Sequence, residues 1–173
     1  MAVVAATLGG CGQASGGAAP SSPAGACAAS QLTAAGRLIS EASDQYQATV
    51  VLTDHGSACS LDGFPGVQVV NAAGSPQPTT DARVRQTPPG QVAYHPVTLQ
   101  PGGHAAFDIY GASYNPVANR SCHSMTSAVL VIPPNDRHQM RVGIRLPLCT
   151  NHIDVAPVIA GSSDSQPYGG TYG

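Results

Sequence analysis

The stretch Gln47-Ala48-Thr49-Val50-Val51-Leu52-Thr53 decides the fold. It is rich in β-branched residues, which lose side-chain freedom in a helix and pack well on a pleated surface. It reads as a strand, and Asp54-His55-Gly56-Ser57 closes it as a turn. Upstream, Leu32 to Ile39 fits either a strand or a weak helix, because its alanines favour neither. Downstream, Cys59-Ser60-Leu61-Asp62-Gly63-Phe64-Pro65-Gly66 leads into a strand over Val67 to Asn71, ended by Ala72-Ala73-Gly74-Ser75-Pro76.

The same punctuation continues to the end of the chain. Thr79 to Gln86 reads as an edge strand closed by Pro88-Pro89-Gly90, and Val97 to Leu99 as a short strand before Gln100-Pro101-Gly102-Gly103. Over Ala105 to Tyr110, alternation turns Phe107 and Ile109 inward and leaves Asp108 exposed. Asn115 to Ser124 reads as a loop. Ser127 to Ile132 is apolar enough for a central strand, and Met140, Val142 and Ile144 share one side of the next. Ile153 to Ile159 contains Pro157, which predicts an edge position. Seven or eight short strands so spaced predict an all-β fold, an Ig-like antiparallel β-sandwich.

Composition limits the function. Only 9% of the 173 residues are charged, the net charge is −2 and lysine is absent. The seven basic residues, Arg37, Arg83, Arg85, Arg120, Arg137, Arg141 and Arg145, are scattered, whereas phosphate binding needs them clustered, so no nucleic acid is expected. With no Trp and two Phe, the core must be built from Val, Ile, Leu and Ala. Fifteen Pro and twenty Gly imply many turns and little long helix.

Met1 to Gly10 is apolar, and Leu8-Gly9-Gly10-Cys11 resembles the lipobox at which bacterial signal peptidase II cuts. The stretch is too short to span a bilayer. No Lys or Arg precedes Arg37, which departs from the usual positive start of a signal peptide. The expectation is a signal-peptide remnant over 1–10, with Cys11 as the lipid anchor to the outer face of the cell membrane. Residues 11–26, which after the cysteine are Gly, Ala, Ser and Pro with one Gln and no charge, read as a flexible, disordered tether. The sandwich domain then occupies 27–160 and a polar, disordered tail 161–173.

With Cys11 acylated, Cys27, Cys59, Cys122 and Cys149 remain, an even number in an oxidising compartment. They permit three pairings. Cys27–Cys59 with Cys122–Cys149 is favoured because each pair brackets one contiguous portion of the domain.

Cys27 with Gln31-Leu32, Cys59-x-Leu61-x-Gly63-Phe64-Pro65-Gly66-Val67, Leu99-x-Pro101-Gly102-Gly103-x-Ala105, Cys122, Val131-x-Pro133-Pro134-Asn135 and Cys149 occur in this order. The run resembles DUF4232, an actinobacterial envelope family of unknown function whose members are often secreted proteins or lipoproteins. Family members commonly carry Asn-x-Ser or Asn-x-Thr before the second cysteine, where this chain has Asp54-His55-Gly56-Ser57. The resemblance implies a location and a fold and carries no catalytic residues.

No other motif assigns chemistry. His55, His95, His104, His123, His138 and His152 show no paired metal-ligand spacing, so neither a metal nor a cofactor is expected. His123 and His152 would approach each other if Cys122 and Cys149 were joined. There is no Gly-x-Ser-x-Gly elbow, and Glu41 and Asp44 read as a solvated face. Asn119-Arg120-Ser121 matches a glycosylation sequon by accident. The expectation is therefore a non-enzymatic envelope module that binds a protein or cell-wall component. The alternatives are a small-molecule or lipid carrier, which needs an apolar pocket, and a hydrolase with a loop-assembled site.

Overall fold

The computed structural model describes residues 24–84, 86–87, 90–91, 95–122, 125–147, 149 and 152–161. The Cys11 anchor, most of the expected tether, the tail beyond Gly161, Arg85 and His123 lie outside the described residues.

After a 3-10 turn over Ala29–Gln31 come β1 (Leu32–Ala42), β2 (Gln45–Asp54), β3 (Cys59–Leu61), β4 (Gly66–Val70) and β5 (Thr80–Arg83). Then follow β6 (Gln86–Thr87), β7 (Gly90–Gln91), β8 (Val97–Leu99), β9 (His104–Ala112), β10 (Tyr114–Asn115) and β11 (Arg120–Ser121). The last four are β12 (Ala128–Ile132), β13 (Met140–Val142), β14 (His152–Val155) and β15 (Ile159–Ala160).

Two sheets carry the sandwich. The larger runs β1-β2-β9-β14-β5, with β15 also paired to β9, and the smaller runs β13-β12-β4. Short pairs β3–β8, β6–β7 and β10–β11 flank them. Among the described strands pairing is antiparallel except between β14 and β5, which run parallel, and Ala26 forms a further parallel bridge with Ser60.

Period-two alternation fixes which side chains meet. Tyr46, Ala48, Val50 and Leu52 of β2 share a face with Ala105, Phe107 and Ile109 of β9. On the smaller sheet Val67, Val69, Val129, Val131 and Val142 share a face. All are buried and belong to one apolar cluster. Full burial of each aliphatic or aromatic side chain contributes roughly 1.5–3 kcal/mol before entropy is counted. Both Ser127 to Ile132 as the middle of its sheet and the shared side of Val142 and Ile144 agree with the sequence.

Other expectations are refined or corrected. Leu32 to Ile39 is strand, because its even-numbered residues meet the apolar face of β2. The expected loop from Asn115 contains the β10–β11 hairpin. The last strand is not at an edge: β14 lies between β9 and β5. Pro157 instead divides it from β15. The adjoining Ala156 N–H donates to Asp108 O at 2.9 Å and Val158 N–H to Gly63 O at 3.0 Å, so the missing proline N–H falls in a crossover between ladders.

Two disulfides brace the domain, Cys27–Cys59 with Cα atoms 4.9 Å apart and Cys122–Cys149 at 5.1 Å. Their sequence separations of 32 and 27 residues correspond to about 3–4 kcal/mol each in the chain-entropy account. Cys27 N–H donates to Ser60 O at 3.0 Å and Ser60 N–H to Gly25 O at 2.8 Å, so backbone pairing already includes Gly25. Cys122 N–H donates to Ser113 O at 2.9 Å, tying the second disulfide to the root of the β10–β11 hairpin.

Candidate functional site

The solvent-facing side of the larger sheet is built by the opposite phase of the same alternation. Gln45, Gln47 and Thr49 of β2 stand opposite Ala112, Tyr110 and Asp108 of β9. On β1, Arg37 pairs with Thr49, but the register then slips between Leu38 and Ser40. This β-bulge moves the later residues of the strand to the other phase. Ser40 therefore faces Gln47, and Ala42 faces Gln45. Without it, Ser40 and Ala42 would turn toward the core. Ser40, Gln47 and Tyr110 thus form one row across three strands.

The β1–β2 connection is the two-residue turn Ser43-Asp44, with φ of 51° and 66°. Positive φ at both positions is the signature of a type I′ hairpin turn, which normally selects Asn and Gly. Asp44 is also held from outside, its carbonyl accepting from Ser113 N–H at 2.8 Å.

Bulge, row and turn together enclose a surface cleft of about 470 Å³ lined by Ser40, Ala42, Ser43, Gln45, Tyr46, Gln47 and Tyr110. Tyr46 contributes little surface, being only 3% exposed. Its ring lies over Gly111, where an added Cβ would collide with it. Burial, and after it the charge of Asp154, pushes the Tyr46 phenol up to about 12.

Beneath the cleft lies Asp108, only 1% exposed. This corrects the expectation of a solvated side chain: the sheet continues past β9, and polar neighbours close over the carboxylate. Thr49 Oγ1 donates to Oδ1 at 2.5 Å, while Gln47 Nε2 and Tyr110 OH donate to Oδ2 at 3.0 and 3.2 Å. Burial raises its pKa, and these hydrogen bonds from Thr49, Gln47 and Tyr110 pull the other way.

The five described histidines are distributed rather than gathered. His55 Nε2 and Thr33 Oγ1 are hydrogen-bonded at 2.8 Å, as are His104 Nδ1 and Thr53 Oγ1 at 2.9 Å. His138 meets Asp136 at 2.9 Å and His152 meets Asp154 at 3.3 Å, while His95 is exposed. Among the described residues no group of three or more His, Cys, Asp or Glu is placed to hold a metal ion. Asp54 takes the Asx-turn role, its Oδ1 accepting from Gly56 N–H at 2.8 Å and Gln31 Nε2 at 3.0 Å. Glu41 and Asp44 are exposed.

None of the cleft residues was singled out from sequence. The available signal was the in-phase polar pair Gln47 and Thr49 opposite Asp108 and Tyr110, legible only once β2 and β9 are known to be neighbours.

No curated protein and no solved structure matches the chain. A family model, described as a domain of unknown function, matches residues 27–159, from the first disulfide cysteine to the start of β15 and well over half of the sequence. With its cysteines joined across an all-β sandwich, this chain belongs to the DUF4232 family.

Proposed function

We propose that the protein is a non-enzymatic binding module of the cell envelope, held to the outer face of the membrane by a lipid on Cys11. The cleft at the β1–β2 end is its ligand-facing site. The observation that carries this reading is the cleft itself, about 470 Å³, whose largely apolar surface is set with hydroxyl, carboxamide and phenol groups. That volume lies in the usual range of ligand sites, roughly 300–1,000 Å³. Its polar groups are pre-set from behind, because Gln47 and Tyr110 are both anchored on Asp108.

Lipid carriage fits less well. The space between the sheets is occupied by fully buried Phe107, Leu52, Leu61, Ile109 and Leu146. The binding partner is a protein or cell-wall component, consistent with the oxidised cysteines and the lipobox-like start.

A photo-crosslinking amino acid placed at Gln45 in the native envelope tests the site. It should capture a component that the same probe at Thr98, an exposed residue of β8, does not capture. Filling the cleft with Ala42→Trp should abolish the capture. Equal capture from both positions, or capture insensitive to Ala42→Trp, would overturn the assignment. Intact mass of membrane-extracted protein should show cleavage before Cys11 with added acyl mass, and an unacylated protein would remove the anchor.

A further inference from the structure

Resting on the reading of the cleft as a binding site, we infer that its ligand is neutral and rich in hydroxyl groups, a short saccharide segment. The wall residues Ser40, Ser43 and Gln45 carry groups that both donate and accept hydrogen bonds, and Gln47 adds a carboxamide whose Nε2 is turned to Asp108. Sugar hydroxyls have the same double capacity, so a saccharide can satisfy such a wall without supplying or demanding a formal charge. Ala42 and the half-buried Tyr110 ring give apolar surface for the C–H face of a pyranose.

Among the described residues no charged side chain lines the cleft, so an ionic ligand would find no counter-charge in contact with them. The charges nearest the cleft are mixed rather than of one sign: Asp44 is exposed in the turn, Asp108 lies beneath, Asp154 stands opposite Tyr110, and Arg37 stands opposite Thr49 in the adjoining row.

The amide of Gln47 is oriented by its bond to Asp108. With Nε2 donating to Oδ2 at 3.0 Å, the carbonyl end of the same side chain is left as the acceptor. A donor hydroxyl from the ligand completes it. Orienting one wall group before the ligand arrives lowers the ordering cost of binding, which matters most for weak neutral ligands.

The test is a titration of the full 173-residue chain followed by NMR. The probes are maltose, cellobiose and their tetrasaccharides, with trilysine and triglutamate as charged comparisons. At least one neutral saccharide should shift the side-chain amides of Gln45 and Gln47 and the backbone amide of Ser43. Gln47→Leu should weaken that binding at least tenfold, while Thr98→Ala on β8 leaves it unchanged. Shifts at the cleft from trilysine or triglutamate alone would overturn the ligand class and leave the cleft as a binding site. No shift at the cleft from any probe, together with crosslinking at Gln45 that equals that at Thr98, would overturn both.

Discussion

Gln47 Nε2 donates to Asp108 Oδ2 across the β2–β9 ladder at 3.0 Å, which joins the wall of the cleft to a carboxylate only 1% exposed. Hydrogen bonds to a charged acceptor contribute about 1.5–3 kcal/mol each, and the effective cost of burying the charge is several kcal/mol. Burial and hydrogen bonding oppose each other at Asp108, and the bonds fix the placement of Gln47, Thr49 and Tyr110. Removing the carboxylate breaks the balance, because the Thr49 hydroxyl is then buried without its acceptor. Asp108→Ala should lower stability by about 1–3 kcal/mol in urea denaturation. An unchanged midpoint would show that the network does not hold the sheet.

The Ser43-Asp44 turn carries strain at the rim of the same cleft. Two consecutive non-glycine residues sit at positive φ, 51° and 66°. Asn and Gly adopt these angles more readily. The double substitution Ser43→Asn with Asp44→Gly should therefore raise stability by about 1 kcal/mol. Differential scanning calorimetry would read it as a higher Tm. A lower Tm would mean that the native side chains supply compensating contacts.

Much of the sandwich was legible because its deciding strands are uniform. Gln47 to Thr53 and Ser127 to Ile132 are apolar or β-branched at almost every position, and the Met140, Val142, Ile144 alternation leaves one reading. The site was not legible, for two physical reasons. A polar residue in a period-two strand reads as solvent-facing. Asp108 is buried by strand neighbours contributed from β2 and from a crossover at Ala156, far away in sequence. The bulge in β1 is equally silent, since nothing in Leu38-Ile39-Ser40 marks a register slip that only pairing with β2 defines. The edge position inferred from Pro157 failed because a proline can also interrupt an interior strand where the chain changes ladders.

Asp136 ties the start of the domain to the β12–β13 turn and makes the fold sensitive to acid. Its carboxylate accepts from Ala29 N–H at 2.5 Å, Arg137 N–H at 2.6 Å, His138 N–H at 3.2 Å and His138 Nδ1 at 2.9 Å. The bond from Ala29, then those from His138 and Arg137, hold its pKa well below the ordinary carboxylate range. The folded chain therefore keeps Asp136 ionised where the unfolded chain has taken up a proton. Its contribution is complete above the ordinary value of 3.8 and is lost as pH falls toward the depressed one. Asp136→Asn should unfold at lower urea than the parent at pH 7, and the gap should narrow in acid. A gap that stays constant from pH 7 to pH 2 would refute the role of the charge.

Tyr46 gives the opposite limit, on the alkaline side. Its phenol is raised from 10.0 to about 12, chiefly by burial under the hairpin end and secondarily by Asp154. The unfolded chain ionises this group first, so between those values it binds fewer protons than the folded chain. Stability is therefore fully present below pH 10 and falls as pH rises through about 12. At 1.36 kcal/mol per unit, the loss attributable to Tyr46 is about 2–3 kcal/mol. Tyr46→Phe keeps the ring over Gly111 and removes the ionisable oxygen. Urea midpoints of the variant should decline less steeply than those of the parent between pH 9 and pH 12. Absorbance near 295 nm should show a phenol that ionises near pH 12 in the native protein missing from the variant. Parallel declines would mean that Tyr46 ionises as freely as a surface tyrosine, and that the hairpin end opens before the phenol loses its proton.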